Sequence, residues 1–195
     1  MTLIGVIHND HFQWLENKSI EGVIYEKTAK LLNSNIFINK QVNNEIGNKI
    51  EKSLEKNTSN KYFFGKDFNI AKFENGFIQY QDQLGELVLP EPSILGDHQL
   101  YNISTAIAAS RKIFSIKDEN IVNGIKNISL KARLEEIKSG KLKNIVTVVG
   151  TNAKASMCYS FKSILNEAGY KTNLYTSPHL LSYTERYVFE DKEIN

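Results

Sequence analysis

The chain is short of several things, and each shortage removes a class of answer. A single cysteine, Cys158, among 195 residues excludes an internal disulfide and a cysteine-cluster metal site. The cytoplasm is therefore the expected compartment. Apolar runs stop at roughly six residues, far below the roughly 20 that cross a bilayer, so no membrane role is expected. The start, MTLIGVIHNDHFQW, has neither the basic opening nor the long apolar stretch of a secretory signal. Charge of one sign is also lacking: 24 Lys and Arg against 22 Asp and Glu leave a net charge of +2. Nucleic acid is not an expected partner on that balance. Arginine is scarce, with Arg111, Arg133 and Arg186 against 21 lysines. This lysine bias, and a matching abundance of asparagine, deny meaning to any one Lys or Asn without local context. What is present is ordinary. Hydrophobic residues at 41% and charged residues at 24% exclude a wholly disordered chain, and the length suits one domain or two small ones.

The residue pattern predicts alternating strands and helices. TLIGVIH (2–8) is apolar and β-branched, as a buried strand requires. From Asn17, Ile20, Val23, Ile24, Lys27 and Leu31 follow helical spacing. A short strand is expected at 36–39 and a charged, solvated helix at 42–56. FNIAKFENGFIQYQ alternates around Asn75-Gly76, the signature of a two-residue hairpin turn, and Pro90 and Pro92 close that region. Helices are expected over Asp97–Ile113, with a small-residue face at Ala106, Ala108 and Ala109, and over Asp118–Lys126 with Asp118 as N-cap. KSGKLK (138–143) is the best boundary. NIVTVVG (144–150) is a near-continuous apolar strand of the kind a parallel sheet covers on both faces. A helix then runs through Ala168 to Gly169, followed by a strand at 172–177 and the strand-like ERYVFE. Strand–loop–helix–strand order gives an α/β fold: a mostly parallel sheet with flanking helices, of P-loop type, plus a small antiparallel β-hairpin insert.

Chemistry concentrates at the strand ends. In VVGTNAKAS a strand enters a tight loop and then a helix, which aims backbone N–H groups at an anion. Lys154 would neutralise phosphate and Ser156 would offer a hydroxyl to Mg²⁺; the plain alternative is a strand-to-helix turn with a solvated lysine. Ala153 and Ala155 flank the lysine, and wherever the loop needs positive φ a Cβ costs ~1 kcal/mol or more. Ser177 in TSPHL lies at the end of the next strand, where parallel sheets hold ligands, and could meet Ser156 across one Mg²⁺; a Ser-Pro turn is the alternative. His11 in NDHFQWL could ligate a metal, with Asp10 nearby and His8 as competitor. Lys27 falls on an apolar stripe, where it either snorkels to solvent or lies near metal or phosphate, with its charge removed by modification. Gln99 and Asn102 could read a nucleobase, and Arg133 in KARLEE suits planar phosphate recognition. If the distant pieces pair in one sheet, 144–149 lies beside 172–176 and near 2–8, bringing His11, Ser156 and Ser177 to one edge.

Taken together, VVGTNAKASMCYSFKSILNEAGYKTNLYTSPHLLSYTERY, NDHFQWLENKSIEGVIYEK, LGDHQLYNISTAIAA and KARLEEI resemble the folylpolyglutamate synthase / dihydrofolate synthase family of the Mur ligase superfamily. That family carries GTNGKGS, YTSPHL and ER, DH-x-x-x-LG, G-x-HQ-x-x-N-A and PGR-x-E. The resemblance implies an ATP- and Mg²⁺-dependent amide ligase. A folate-side carboxylate becomes an acyl phosphate, which the amine of glutamate attacks. Gly150, Thr151, Asn152, Ala153, Lys154, Ala155 and Ser156 would form the phosphate loop. Ser156 and Ser177 would hold one Mg²⁺ and His11 a second. Lys27 would be the carbamylated lysine, and Asn102 and Arg133 would touch ATP. Folate and glutamate are the implied substrates. The order departs from the family: residues 1–137 resemble a later part of its ATPase domain, and 138–195 resemble its opening P-loop-like segment. Both loop glycines are alanine, Glu16 replaces a glycine, and Lys131-Ala132 replace Pro-Gly. The C-terminal glutamate-binding domain has no counterpart, so a second polypeptide would have to supply it. The alternative is an inactive, rearranged remnant with at most weak nucleotide binding.

Overall fold

The computed structural model describes residues 1–8, 18–29, 31, 35–73, 76–92, 96–128, 146–149, 154–176, 187–189 and 192–193. In chain order the elements are β1 (Thr2–Ile4), α1 (Ile20–Thr28), β2 (Ile36–Ile38), α2 (Asn44–Ser53), β3 (Lys61–Phe63), β4 (Phe68–Lys72), β5 (Phe77–Asp82), β6 (Gly85–Pro90), α3 (Asp97–Phe114), α4 (Asp118–Lys126), β7 (Thr147–Val149), α5 (Lys154–Glu167), β8 (Asn173–Tyr175), β9 (Tyr187–Phe189) and β10 (Lys192–Glu193).

Short, fully apolar strands build a parallel sheet in the order β3-β2-β1-β7. Leu3 lies opposite Phe37 on one side and Val148 on the other. Strand side chains alternate between faces, and the burial follows. Ile4, Ile36 and Ile38 pack with Val23, Ile24, Ile50 and Leu54 of the α1–α2 side. Leu3 and Phe37 enter the larger core with α3, α4 and α5, and Phe37 stacks on Tyr62 at 4.6 Å. Each fully buried aliphatic chain stabilises by about 1.5–3 kcal/mol, so covering both faces is what makes three-residue strands sufficient. Local caps fix where the helices begin. Ser19 Oγ accepts from Gly22 N–H at 3.1 Å, and Asn43 Oδ1 from Ile46 N–H at 2.9 Å. Gly96 precedes α3 at φ +105°, and a Cβ there would meet the His98 ring at 2.7 Å.

Several expectations need correction in detail. The hairpin insert is a three-stranded meander, β4-β5-β6. Phe73 N–H donates to Phe77 O at 2.8 Å, so three residues, not two, separate the last bonded pair, with Gly76 at φ +80°. Asp118 is the first residue of α4 rather than its cap, which is Lys117. The 173–175 strand does not join 147–149; it pairs antiparallel with β9, Leu174 opposite Val188. Its burial explains this: Leu174 is buried between half-buried Asn173 and Tyr175, a strand covered on one face only, which suits antiparallel pairing. β7 does lie beside β1, as the pairing of distant pieces requires.

Candidate functional site

Because β1, β2, β3 and β7 are parallel, their carboxyl ends share one edge, where α/β sheets hold ligands. Four segments follow those ends within the described residues: 5–8 after β1, 39–41 after β2, 64–67 after β3, and α5 after β7. The segment leading toward His11 and the one leading to Lys154 thus start from neighbouring strands, although Thr2 and its partner Thr147 stand at opposite ends of the sequence.

Helix α5 begins differently from the others. Glu21, Glu45, Asp97 and Asp118 place an acid in the first turn of α1 to α4, which suits the positive end of a helix. The first turn of α5 has no acid, and Lys154 opens it. Burial, and then the positive charge of Lys27, hold the Lys154 amine below the usual lysine range. A cation at that position is disfavoured by its surroundings, and an anion beside it reverses the balance. Lys27 itself stands in the last turn of α1. Its side chain is 26% exposed and pairs with Glu26 at 3.3 Å, so it is neither buried among the apolar residues of its helix nor fully solvated.

Two turns of buried amide and hydroxyl meet at Ser156. Asn102, on α3, is 0% exposed and Ser156 is 4% exposed. Asn102 Nδ2 donates to Ser156 Oγ at 2.5 Å and to Gln99 Oε1 at 3.1 Å. Its Oδ1 accepts from Asn39 Nδ2 at 2.7 Å. Asn102 therefore stands inside a hydrogen-bonded corner with Ser156. A hydroxyl oxygen is a hard donor of the kind Mg²⁺ takes, so Ser156 fits that ion chemically. Among the described residues no three His, Cys, Asp or Glu side chains gather as a metal cluster.

Ala155 is the second residue of α5, and the non-glycine positive-φ position among the described residues is Ser115. The glycine-to-alanine departure at 155 therefore carries no backbone strain. Cys158 lies one turn on; burial pushes its thiol up to about 12, with Lys154 pulling the other way, so it is no nucleophile at neutral pH. His11, Arg133, Gly150, Thr151, Asn152, Ala153 and Ser177 lie outside the described residues. Asn39 and Gln41 were missed by sequence reasoning. The available signal was their place directly after an apolar strand, hidden by the abundance of asparagine.

No family model matches the chain. Its sequence is 40% identical over 81 residues to the dihydrofolate synthase/folylpolyglutamate synthase of Escherichia coli, covering 41% of this chain and 19% of that one. It is 32% identical over 79 residues to a folylpolyglutamate synthase of Arabidopsis thaliana, covering 40% and 12%. The matched stretch thus spans a fifth or less of these relatives' length. The fold is similar to the apo form of L. casei FPGS, with TM-score 0.54 and 22% identity over 70% of this chain and 35% of that one. It is also similar to E. coli FolC in complex with DHPP and ADP, with TM-score 0.55 and 20% identity over 70% and 31%. No helix among the described residues is long and apolar enough to cross a membrane. In sequence the chain is thus similar, over a part of its length, to folylpolyglutamate and dihydrofolate synthases, and its fold is similar to solved structures of the same description.

Proposed function

We propose that the chain carries the nucleotide side of an ATP-dependent folylpolyglutamate synthase. The observation that supports it most is the corner at the carboxyl edge, where Lys154 opens an acid-free helix start and Ser156 is held by Asn102 at 2.5 Å. ATP chemistry suits that corner. Lys154 neutralises phosphate charge, and the first turn of α5 faces the anion with its N–H groups. Ser156, with Ser177 and His11, would hold Mg²⁺, which supplies further charge neutralisation when bound. Gly150, Thr151, Asn152, Ala153 and Ala155 would complete the phosphate loop, and Asn102 and Arg133 would touch ATP. Carbamylation of Lys27 would turn a cation that opposes Lys154 into an anion that attracts it and can face a metal.

The reaction is the one that the resemblance to this family implies. A folate-side carboxylate takes the γ-phosphoryl group, and the glutamate amine displaces phosphate from the acyl phosphate to form the amide. The cytoplasm supplies ATP, folate and glutamate together. The glutamate side of the site would come from chain beyond the matched fifth or from a second polypeptide. Calorimetry tests the nucleotide reading. Mg-ATP binds the unmodified chain in the millimolar range or tighter, and Lys154→Met weakens it at least tenfold, as expected for losing one charge-assisted contact. No heat at millimolar Mg-ATP overturns the reading. ADP release that needs both folate and glutamate identifies ligation; binding without turnover identifies the inactive alternative.

A further inference from the structure

A hollow lies between the β3–β4 turn, the β5–β6 turn and the last turn of α3. Its open part measures about 340 Å³, at the lower end of small-ligand sites. A narrow neck continues it beneath Lys112, and Asp67, Phe68, Asp82 and Gln83 line both parts. Two opposite charges stand there unneutralised. Lys27, Lys49, Lys66, Lys72 and Arg111 each have a carboxylate partner, whereas Lys112 has none among the described residues. Its ammonium lies 5.4 Å from the centre of the Tyr62 ring, at the neck. Asp67 Oδ2 accepts from Phe63 N–H at 2.7 Å, but the carboxylate meets no cation among the described residues. Asp82 adds no net charge, because Arg111 neutralises it at 2.8 Å. One ammonium and one carboxylate therefore border the same hollow, too far apart to pair with each other.

A simple ion satisfies one of these groups and leaves the other. A ligand carrying both a carboxylate and an ammonium satisfies both, through charge-assisted hydrogen bonds, which are the strong kind. The rest of the lining suits such a ligand. Tyr62 and Phe68 offer ring surface to its carbon skeleton. Gln83 offers an amide donor and acceptor to a polar side chain. We infer that this hollow is a binding site for a free α-amino acid with a polar side chain, its carboxylate on Lys112 and its ammonium on Asp67. Lys112 lies about 15 Å along α3 from Asn102, at 1.5 Å per residue. An amino acid held here is therefore not one being joined at the Ser156 corner. The site is separate, and the inference does not depend on the nucleotide reading.

Calorimetry of the unmodified chain with L-glutamine and with L-serine tests this. At least one should bind with a Kd of about 10 mM or tighter, and the Tyr62 ring resonances should shift as it does. No heat with either amino acid overturns the inference. Acetate and methylammonium carry one charge each and should bind at least about tenfold more weakly; either one binding as tightly as the amino acid reveals a lone-ion contact and overturns it. Two variants locate the site. Lys112→Met keeps a carbon stem over Tyr62, and Asp67→Asn keeps a carbonyl oxygen for Phe63 N–H, so both should fold, as circular dichroism would show. Each should weaken amino-acid binding at least about tenfold, the scale of one charge-assisted contact. Undiminished binding in either variant means that the two charges are not read together, and overturns the inference. Should Asp67→Asn fail to fold, Lys112→Met decides alone.

Discussion

Lys154 is a cation where its surroundings penalise cations. Burial acts first and the Lys27 charge second, and both lower its pKa. The sign of the pH effect follows. The folded-state pKa lies below the unfolded one, so the protonated amine costs folding stability at neutral pH, and that cost is relieved as pH rises through the lowered value toward the ordinary lysine range. Lys27→Met removes the second cause. Its expected result is a Lys154 pKa shifted up toward its usual value, read from the pH titration of the lysine Cε resonance in labelled protein. An unmoved titration would show that the two charges do not sense each other. The same arithmetic explains why an anion suits the site: phosphate would favour the charged amine, which the protein alone holds at a cost.

Helix α4 meets α5 at Gly124, where a Cβ would lie 2.7 Å from Ile164 Cα and 3.0 Å from Ile164 N. Ser163 Oγ also donates to Gly124 O at 2.6 Å. The obstacle is backbone, which cannot swing aside as a side chain can, so the helices must separate. Gly124→Ala should cost about 1–3 kcal/mol, measured by urea unfolding; a cost near zero would mean the two helices have slack. Much of this scale was legible from residues. Ile20, Val23 and Ile24 marked α1, Ala106 and Ala109 marked the close-packed face of α3, and Gly169 marked the end of α5. Three-residue strands were harder. Lys61-Tyr62-Phe63 is half-buried throughout and shows no alternation, so β3 left no period to read. Asn39 was illegible for another reason. A single asparagine among many gains meaning only when Asn102, 63 positions away, is seen to face it.

Across the whole molecule, one ion pair fastens the meander to the helical layer. Arg111 on α3 reaches Asp82 Oδ1 at 2.8 Å and Gly85 O at 3.1 Å, and the side chains are 7% and 10% exposed. Tyr80 OH donates to the same carboxylate at 2.9 Å, and burial with that neighbouring charge pushes its phenol up. Removing one partner leaves the other charge buried and unpaired, so Arg111→Ala should cost about 3–5 kcal/mol. Chemical denaturation measures it, and a loss below about 1 kcal/mol would assign the pair to the weak, solvent-screened class. Composition had singled out arginine as scarce, yet only the fold gives Arg111 its work, because Asp82 ends a strand, β5, whose place over α3 no local pattern encodes.

The seating of β7 against β1 also sets an order of events during synthesis. Thr2 and Ile4 align with Thr147 and Val149, so β1 leaves the ribosome long before the neighbour that completes the sheet. Contacts of such long sequence separation form late and slowly, because the intervening loop must first be closed. While residues 39–146 are being added, β1 is therefore bonded to β2 alone, and the corner of Asn102 and Ser156 forms only after β7 and α5 have followed.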